Sequence, residues 1–193
     1  MNHRIPRQDG ATIIEVLVAI IIVVVGLLGL AGLHSRVSLA EVEAFQRSQA
    51  VVLLQDMVSR INANRRQAAQ YASGVGLTPL GTSAIDCSGK TGYDLDKCQW
   101  NNELFGAAEV SGSNNVGAML GARGCIEELQ ATMPRQYRVS VVWQGTVPTV
   151  VPGATTCGQG AYTDDKTRRV VSTVVQIGCL QNDPASTLCI STF

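Results

Sequence analysis

One carboxylate, Glu15, stands near the start of the apolar run GATIIEVLVAIIIVVVGLLGLAGL, residues 10–33. From Val16 through Leu33 no side chain carries a charge or a hydrogen-bonding group. A membrane span takes roughly 20 such residues, and a carboxylate at the centre of one costs about 2.5–3.5 kcal/mol. Glu15 lies shallower and costs less. It still needs either a cationic partner or a route by which its head snorkels to the lipid headgroups.

The other groups with chemistry are six cysteines, Cys87, Cys98, Cys125, Cys157, Cys179 and Cys189, all beyond the apolar run. None forms a CxxC pair, and only His3 and His34 could add imidazole, so a zinc site has no support and no metal or other cofactor is expected. An even set of widely spaced cysteines beyond a membrane segment reads as disulfides in an oxidising compartment, with free buried thiols as the alternative. Spacing favours Cys87–Cys98 and Cys179–Cys189, which leaves Cys125–Cys157.

Catalysis by a serine or cysteine nucleophile needs a base within reach. His3 and His34 both lie in or beside the apolar N-terminal part, so no enzyme is expected. Asp94, Asp96, Glu127 and Glu128 read as solvated charges rather than an acid–base pair. Asp164 and Asp165 with Asp86 or Asp183 lack calcium-loop spacing. Neither a dinucleotide fingerprint nor a phosphate loop is present. With 15 basic and 15 acidic residues and no basic block, nucleic acid is not an expected partner.

These groups need elements to hold them. Arg4 and Arg7 precede the apolar run, which favours a cytoplasmic N-terminus. A cleaved secretory signal has an apolar core of about 7–15 residues, shorter than this one. The helical pattern then continues without a break. Val37, Ala40, Ala44, Val51, Leu54, Val58 and Ile61 recur at steps of three, four and seven, with Arg36, Glu41, Glu43, Arg47 and Arg60 largely off that stripe. One helix from about Ala11 to Ala63 follows, about 53 residues and roughly 80 Å long. Gly26, Gly29 and Gly32 suit close helix–helix contact or local unwinding.

Beyond Asn64 the sequence turns polar and glycine-rich, and a structureless loop of such length would be unusual. Short helices are expected near Asp94–Leu104 and Gly124–Ala131. RQYRVSVVWQG then alternates Tyr137, Val139, Val141 and Trp143 against Arg138, Ser140, Val142 and Gln144, and TRRVVSTVVQIG sets Val171, Thr173, Val175 and Ile177 on one side. The fold class is therefore α+β, a long N-terminal helix packed on a small antiparallel sheet. Four segments result: a leader (1–10), an apolar helix half (11–33), an amphipathic half (34–64) and a disulfide-braced head (65–193).

A short basic leader ending in Gly10, then Ala11-Thr12-Ile13-Ile14, a glutamate at Glu15 and an unbroken apolar helix together resemble the N-terminus of type IV pilins. Chain length, the GATIIEVLVA opening and the strand pair are most similar to minor pilins of the PilV type. The resemblance implies cleavage by a prepilin peptidase between Gly10 and Ala11, N-methylation of Ala11, and a salt bridge from Glu15 to a neighbour's amine during assembly. It also implies a place in the inner membrane with the head in the periplasm, then in the fibre or its tip. Implied partners are other minor pilins and the major pilin, through the N-terminal helix, and a tip adhesin of the PilC/PilY kind. Two alternatives share some of these features: a minor pseudopilin of a type II secretion system, and a signal-anchored periplasmic binding domain that never polymerises.

Overall fold

A computed structural model describes residues 10, 12–72, 79–106, 110–111, 114–115 and 119–178. The first element is helix α1, Ile13–Ala63, 51 residues long. It is unbroken because no proline falls within it, although its apolar half is rich in Val, Ile and Gly, which are weaker helix formers than Ala or Leu. By contacts the chain divides into two compact units, residues 1–42 and 43–193.

In the first unit every described residue is exposed. Ile13 and Ile14 are 87% and 72% exposed, and the most apolar window of α1 has a mean hydropathy of 3.1 with none of it buried. This helix is long and apolar enough to cross a membrane.

The second unit builds its own core. From Gln46 onward α1 buries Gln46, Ala50, Leu54, Met57 and Ile61, at helical steps of four, four, three and four. The expected stripe is thus rotated: Leu54 and Ile61 lie on it, but Val37, Ala40 and Ala44 are exposed, and Val51 and Val58 only half-buried. The packed sheet and second helix select the face that carries Ala50 and Met57, whose small and adaptable side chains admit close neighbours.

A 3₁₀ segment, Arg65–Tyr71, follows and buries Ala68 and Tyr71. Helix α2, Gly92–Phe105, covers the expected Asp94–Leu104 helix and ends on Gly106 in the left-handed conformation, φ 76°. A two-residue pair of strands, β1 (Val110–Ser111) and β2 (Asn114–Asn115), comes next. The main sheet has three antiparallel strands in the order β3 (Arg123–Gln130), β4 (Arg135–Gln144) and β5 (Arg168–Ile177).

The helix expected at Gly124–Ala131 is strand β3. Its residues are helix-tolerant, but pairing decides: Cys125 faces Ser140, Ile126 faces Val139 and Glu128 faces Tyr137. Tertiary packing overrides local preference here. Gly124 shows how tightly. A side chain there would meet Trp100 at 2.3 Å and Leu104 at 2.6 Å, so glycine lets the ring of Trp100 lie on the strand.

One face of the sheet presents Ile126, Tyr137, Val139, Val141, Val175 and Ile177 to Trp100, Leu104 and the buried stripe of α1. Each fully buried aliphatic side chain contributes about 1.5–3 kcal/mol. The other face is covered too, since Val142 packs with Cys125, Cys157 and Val170. The strand therefore stays buried through residues 139–143, where the alternating pattern led one to expect a single buried face. The cover is the connection between β4 and β5.

Candidate assembly surface and head cleft

At the start of α1, Gly10 and Thr12 are exposed and lie outside the helix, and Ala11 lies outside the described residues. The carbonyl of Thr12 accepts the backbone N–H groups of Glu15 at 3.0 Å and Val16 at 3.3 Å. Glu15 sits in the first turn, where the helix dipole favours negative charge. The sequence logic thus reduces to one acid on a helix end whose apolar surface no described residue of its own unit covers.

The six cysteines divide. Cys87 is joined to Cys98 and Cys125 to Cys157, and Cys179 and Cys189 lie outside the described residues. The first bond ties the approach to α2 onto its middle. The second fixes the β4–β5 connection to β3. Arg168 makes a second clamp on that connection. Its buried guanidinium pairs with Asp165 at 2.8 Å and donates to the carbonyls of Thr155, Cys157 and Pro152, each at 3.1 Å. The hydrogen bond from Arg168 holds the carboxyl of Asp165 below its ordinary range. Gly158 turns beneath this clamp with φ 63°, where a side chain would strike Val142 at 2.6 Å.

The acidic residues that might have paired for chemistry are spent on structure. Asp96 accepts from the hydroxyl of Tyr71 and, at 3.4 Å, from Arg60. Arg60 also reaches Asp56 at 2.7 Å, Gln99 at 2.6 Å and Glu103 at 3.1 Å, and so joins α1 to α2. Burial, with the hydrogen bond to Asp96, pushes the Tyr71 hydroxyl up to about 12. Burial and nearby Asp56 raise Glu103 against the pull of Arg60. Asp94 pairs with Lys97 at 3.5 Å, Glu127 with Arg138 at 3.0 Å and Glu128 with Arg135 at 3.7 Å. Asp164 caps its own turn by accepting from the Lys166 N–H at 2.9 Å. Asp86 accepts from the Ser88 N–H at 2.9 Å, and Asp183 lies outside the described residues. Among the described residues no three acids, histidines or cysteines gather as a metal site.

A cleft of about 460 Å³ opens where α1 meets the sheet, lined by Glu43, Arg47, Trp143, Thr149 and Arg169 among others. Arg169 bridges it, donating to Glu43 at 2.8 Å and to Thr149 at 2.7 Å. Trp143 is only 3% exposed, as its place in the alternation predicts, and its indole N–H has no acceptor among the described residues. The Glu43–Arg169 link spans 126 residues of sequence, and the Arg60 hub joins residues from two helices. No local pattern announces either.

A family model described as Tt1218-like, type IV pilin Tt1218, matches residues 32–101. No curated protein and no solved structure matches. The matched segment runs from the end of the apolar half of α1 through the Arg60 hub and most of α2. It thus includes residues 64–101, where the sequence showed no family pattern, and excludes both the glutamate motif and the strands. Pilins are structural rather than enzymatic, and an exposed apolar helix fits a membrane-anchored one. The fold is the α+β fold of type IV pilins, a long N-terminal helix with a small three-stranded antiparallel sheet, and with the family match it supports a type IV pilin subunit.

Proposed function

We propose that this chain is a minor pilin of a type IV pilus, of the PilV type, which primes assembly or sits in the tip complex. The observation that carries the reading is Glu15 in the first turn of an apolar helix that no described residue of its own unit covers. Such a helix suits lipid before assembly and other helices after it. In this reading a prepilin peptidase cuts between Gly10 and Ala11 and the new amine on Ala11 is methylated. The chain waits as a single-pass inner-membrane protein, N-terminus inside and head in the periplasm.

In the fibre the cationic amine of one subunit meets Glu15 of a neighbour. Two unit charges about 4 Å apart attract by about 4 kcal/mol at an effective dielectric near 20, before desolvation. Removing one partner of a buried pair costs about 3–5 kcal/mol, so the pair acts as a registration device. Other minor pilins and the major pilin dock on the helix, and the head helps display a PilC/PilY-type tip adhesin.

The test is the intact mass and N-terminal peptide of membrane and fibre fractions, for wild type, Gly10→Ala and Glu15→Ala. The expected result is a chain starting at N-methylated Ala11, uncut in Gly10→Ala, and cut but missing from fibres in Glu15→Ala. A chain still beginning at Met1 in a host with active prepilin peptidase overturns the reading.

A further inference from the structure

The connection between β4 and β5 carries the run VPTVVP at residues 147–152. Val147, Val150 and Val151 are all exposed there, Val150 by 89%. The backbone that bears them is nevertheless pinned. Arg169 donates to the Val147 carbonyl at 2.6 Å and to the Thr149 hydroxyl at 2.7 Å. The Thr149 N–H donates to the Lys166 carbonyl at 2.8 Å, and Arg168 donates to the Pro152 carbonyl at 3.1 Å. Pro148 and Pro152 fix their own φ angles. A single exposed valine is ordinary. Three on one fixed segment make an apolar edge that a partner can cover with little further ordering.

Through Thr149 this edge borders the cleft of about 460 Å³, a volume within the usual range of ligand sites. The charges of the cleft are unevenly matched. Two nitrogens of Arg169 reach the same oxygen of Glu43, each at 2.8 Å, and its other donors go to Thr149 and to the carbonyls of Val147 and Lys166. Gly145 makes room for this pair, since a side chain there would meet both Arg169 and Glu43 at 2.8 Å. Arg47 lines the same cleft one helical turn beyond Glu43. Glu43 is the acid it would ordinarily take within a helix, but Arg169 holds that acid. Arg47 is therefore exposed and without an ion-pair or hydrogen-bond partner among the described residues. The exposed amino group of Lys166 also lacks an acid. Of the acids nearby, Asp165 is held by Arg168, and Asp164 accepts from its own turn.

We infer that this cleft and its valine edge dock a polypeptide segment in which an acidic side chain is flanked by apolar ones. The carboxylate meets Arg47, and the apolar neighbours cover Val147, Val150 and Val151. A basic segment would bring a second cation against an unpaired guanidinium, and a wholly apolar one would cover that charge without answering it. The inference concerns the head alone and goes beyond the assembly reading, which stands or falls on Glu15 and the leader.

The test uses the full chain in detergent and matched pools of end-blocked, fluorescein-labelled octapeptides. Valine, leucine, serine and threonine are randomised around a fixed central glutamate, glutamine or lysine, and binding is read by anisotropy. The glutamate pool should bind about three- to fivefold more tightly than the glutamine pool, the upper range for an exposed pair. Against the lysine pool, where repulsion replaces attraction, the margin should be about tenfold or more. Arg47→Glu should reverse the order of the glutamate and lysine pools, and Val150→Ser should weaken all three. Both substitutions fall on exposed side chains, so the head keeps its fold, which its denaturation transition checks. No binding of the glutamate pool, equal binding of the glutamine pool, or an order unchanged by Arg47→Glu overturns the inference. So does binding confined to a fourth pool, apolar peptides with a free terminal carboxylate, which would assign the cleft to a chain end instead.

Discussion

The two units of this chain satisfy apolar surface in opposite ways. The unit of residues 1–42 exposes every described residue, so no described residue of that unit covers its apolar helix surface. Among its described residues the unit of residues 43–193 holds a core of sixteen buried side chains, two disulfides and partly buried ion pairs such as Arg168–Asp165. One leaves its apolar surface open, and the other buries much of its own. The lesson is that a single helix can belong to two energetic systems. Its sequence says so only through the change from an all-apolar run to a stripe.

Substitutions sharpen that contrast, and the largest effect should come from the head. Trp100→Ala removes a ring that is fully buried, lies on Gly124 and donates to the Leu53 carbonyl at 2.9 Å. The expected loss is about 3–5 kcal/mol of head stability, measured by chemical denaturation. Ile21→Ala, on the exposed half of α1, should leave the same transition within about 0.5 kcal/mol. Equal losses would mean that the two units share one cooperative core.

Next come the crosslinks. Replacing Cys125 and Cys157 by serine opens a loop with a sequence separation of 32, against 11 for Cys87 and Cys98. Chain entropy then predicts losses of about 4 and about 3 kcal/mol. Arg168 still holds the β4–β5 connection in the first case, so limited proteolysis should cut that connection faster only when Arg168→Met is added.

The smallest effect is in acid. The folded-state pKa of Asp165 lies below its ordinary value of 3.8 because Arg168 hydrogen-bonds the charged form. A depressed carboxylate adds stability that is fully present above its unfolded pKa and is lost as pH falls through the folded one. Head stability should therefore decline below about pH 4, and Asp165→Asn should flatten part of that decline. Glu103 works the other way. Its raised pKa costs stability as pH rises from the ordinary glutamate value through the folded one, so Glu103→Gln should leave the head less sensitive to pH just above that ordinary value.

Much of the architecture was legible because it depends on period. A long apolar run, then a helix without proline, then two alternating segments are patterns that survive in one dimension. α1, α2, β4 and β5 stand where those patterns put them. β3 was not legible: GCIEELQ alternates too weakly, and it becomes a strand because β4 offers hydrogen bonds and Trp100 offers a ring that only a glycine admits. The rotated stripe has a similar cause. Several faces of α1 carry small or apolar residues between positions 37 and 61, and the sheet chose among them.

The sequence by itself determined where the chain must find an apolar partner, and that one acid, Glu15, would stand at the edge of that surface. Composition and order suffice for this, since desolvation cost depends on residue type. Only the tertiary structure decided which arginines hold the head together. Arg60, Arg168 and Arg169 find their acids and carbonyls across as few as three residues and as many as 126. Such partners are fixed by how the sheet, the loops and the helices come to rest on one another, because a buried guanidinium must be satisfied by whatever packing brings within reach.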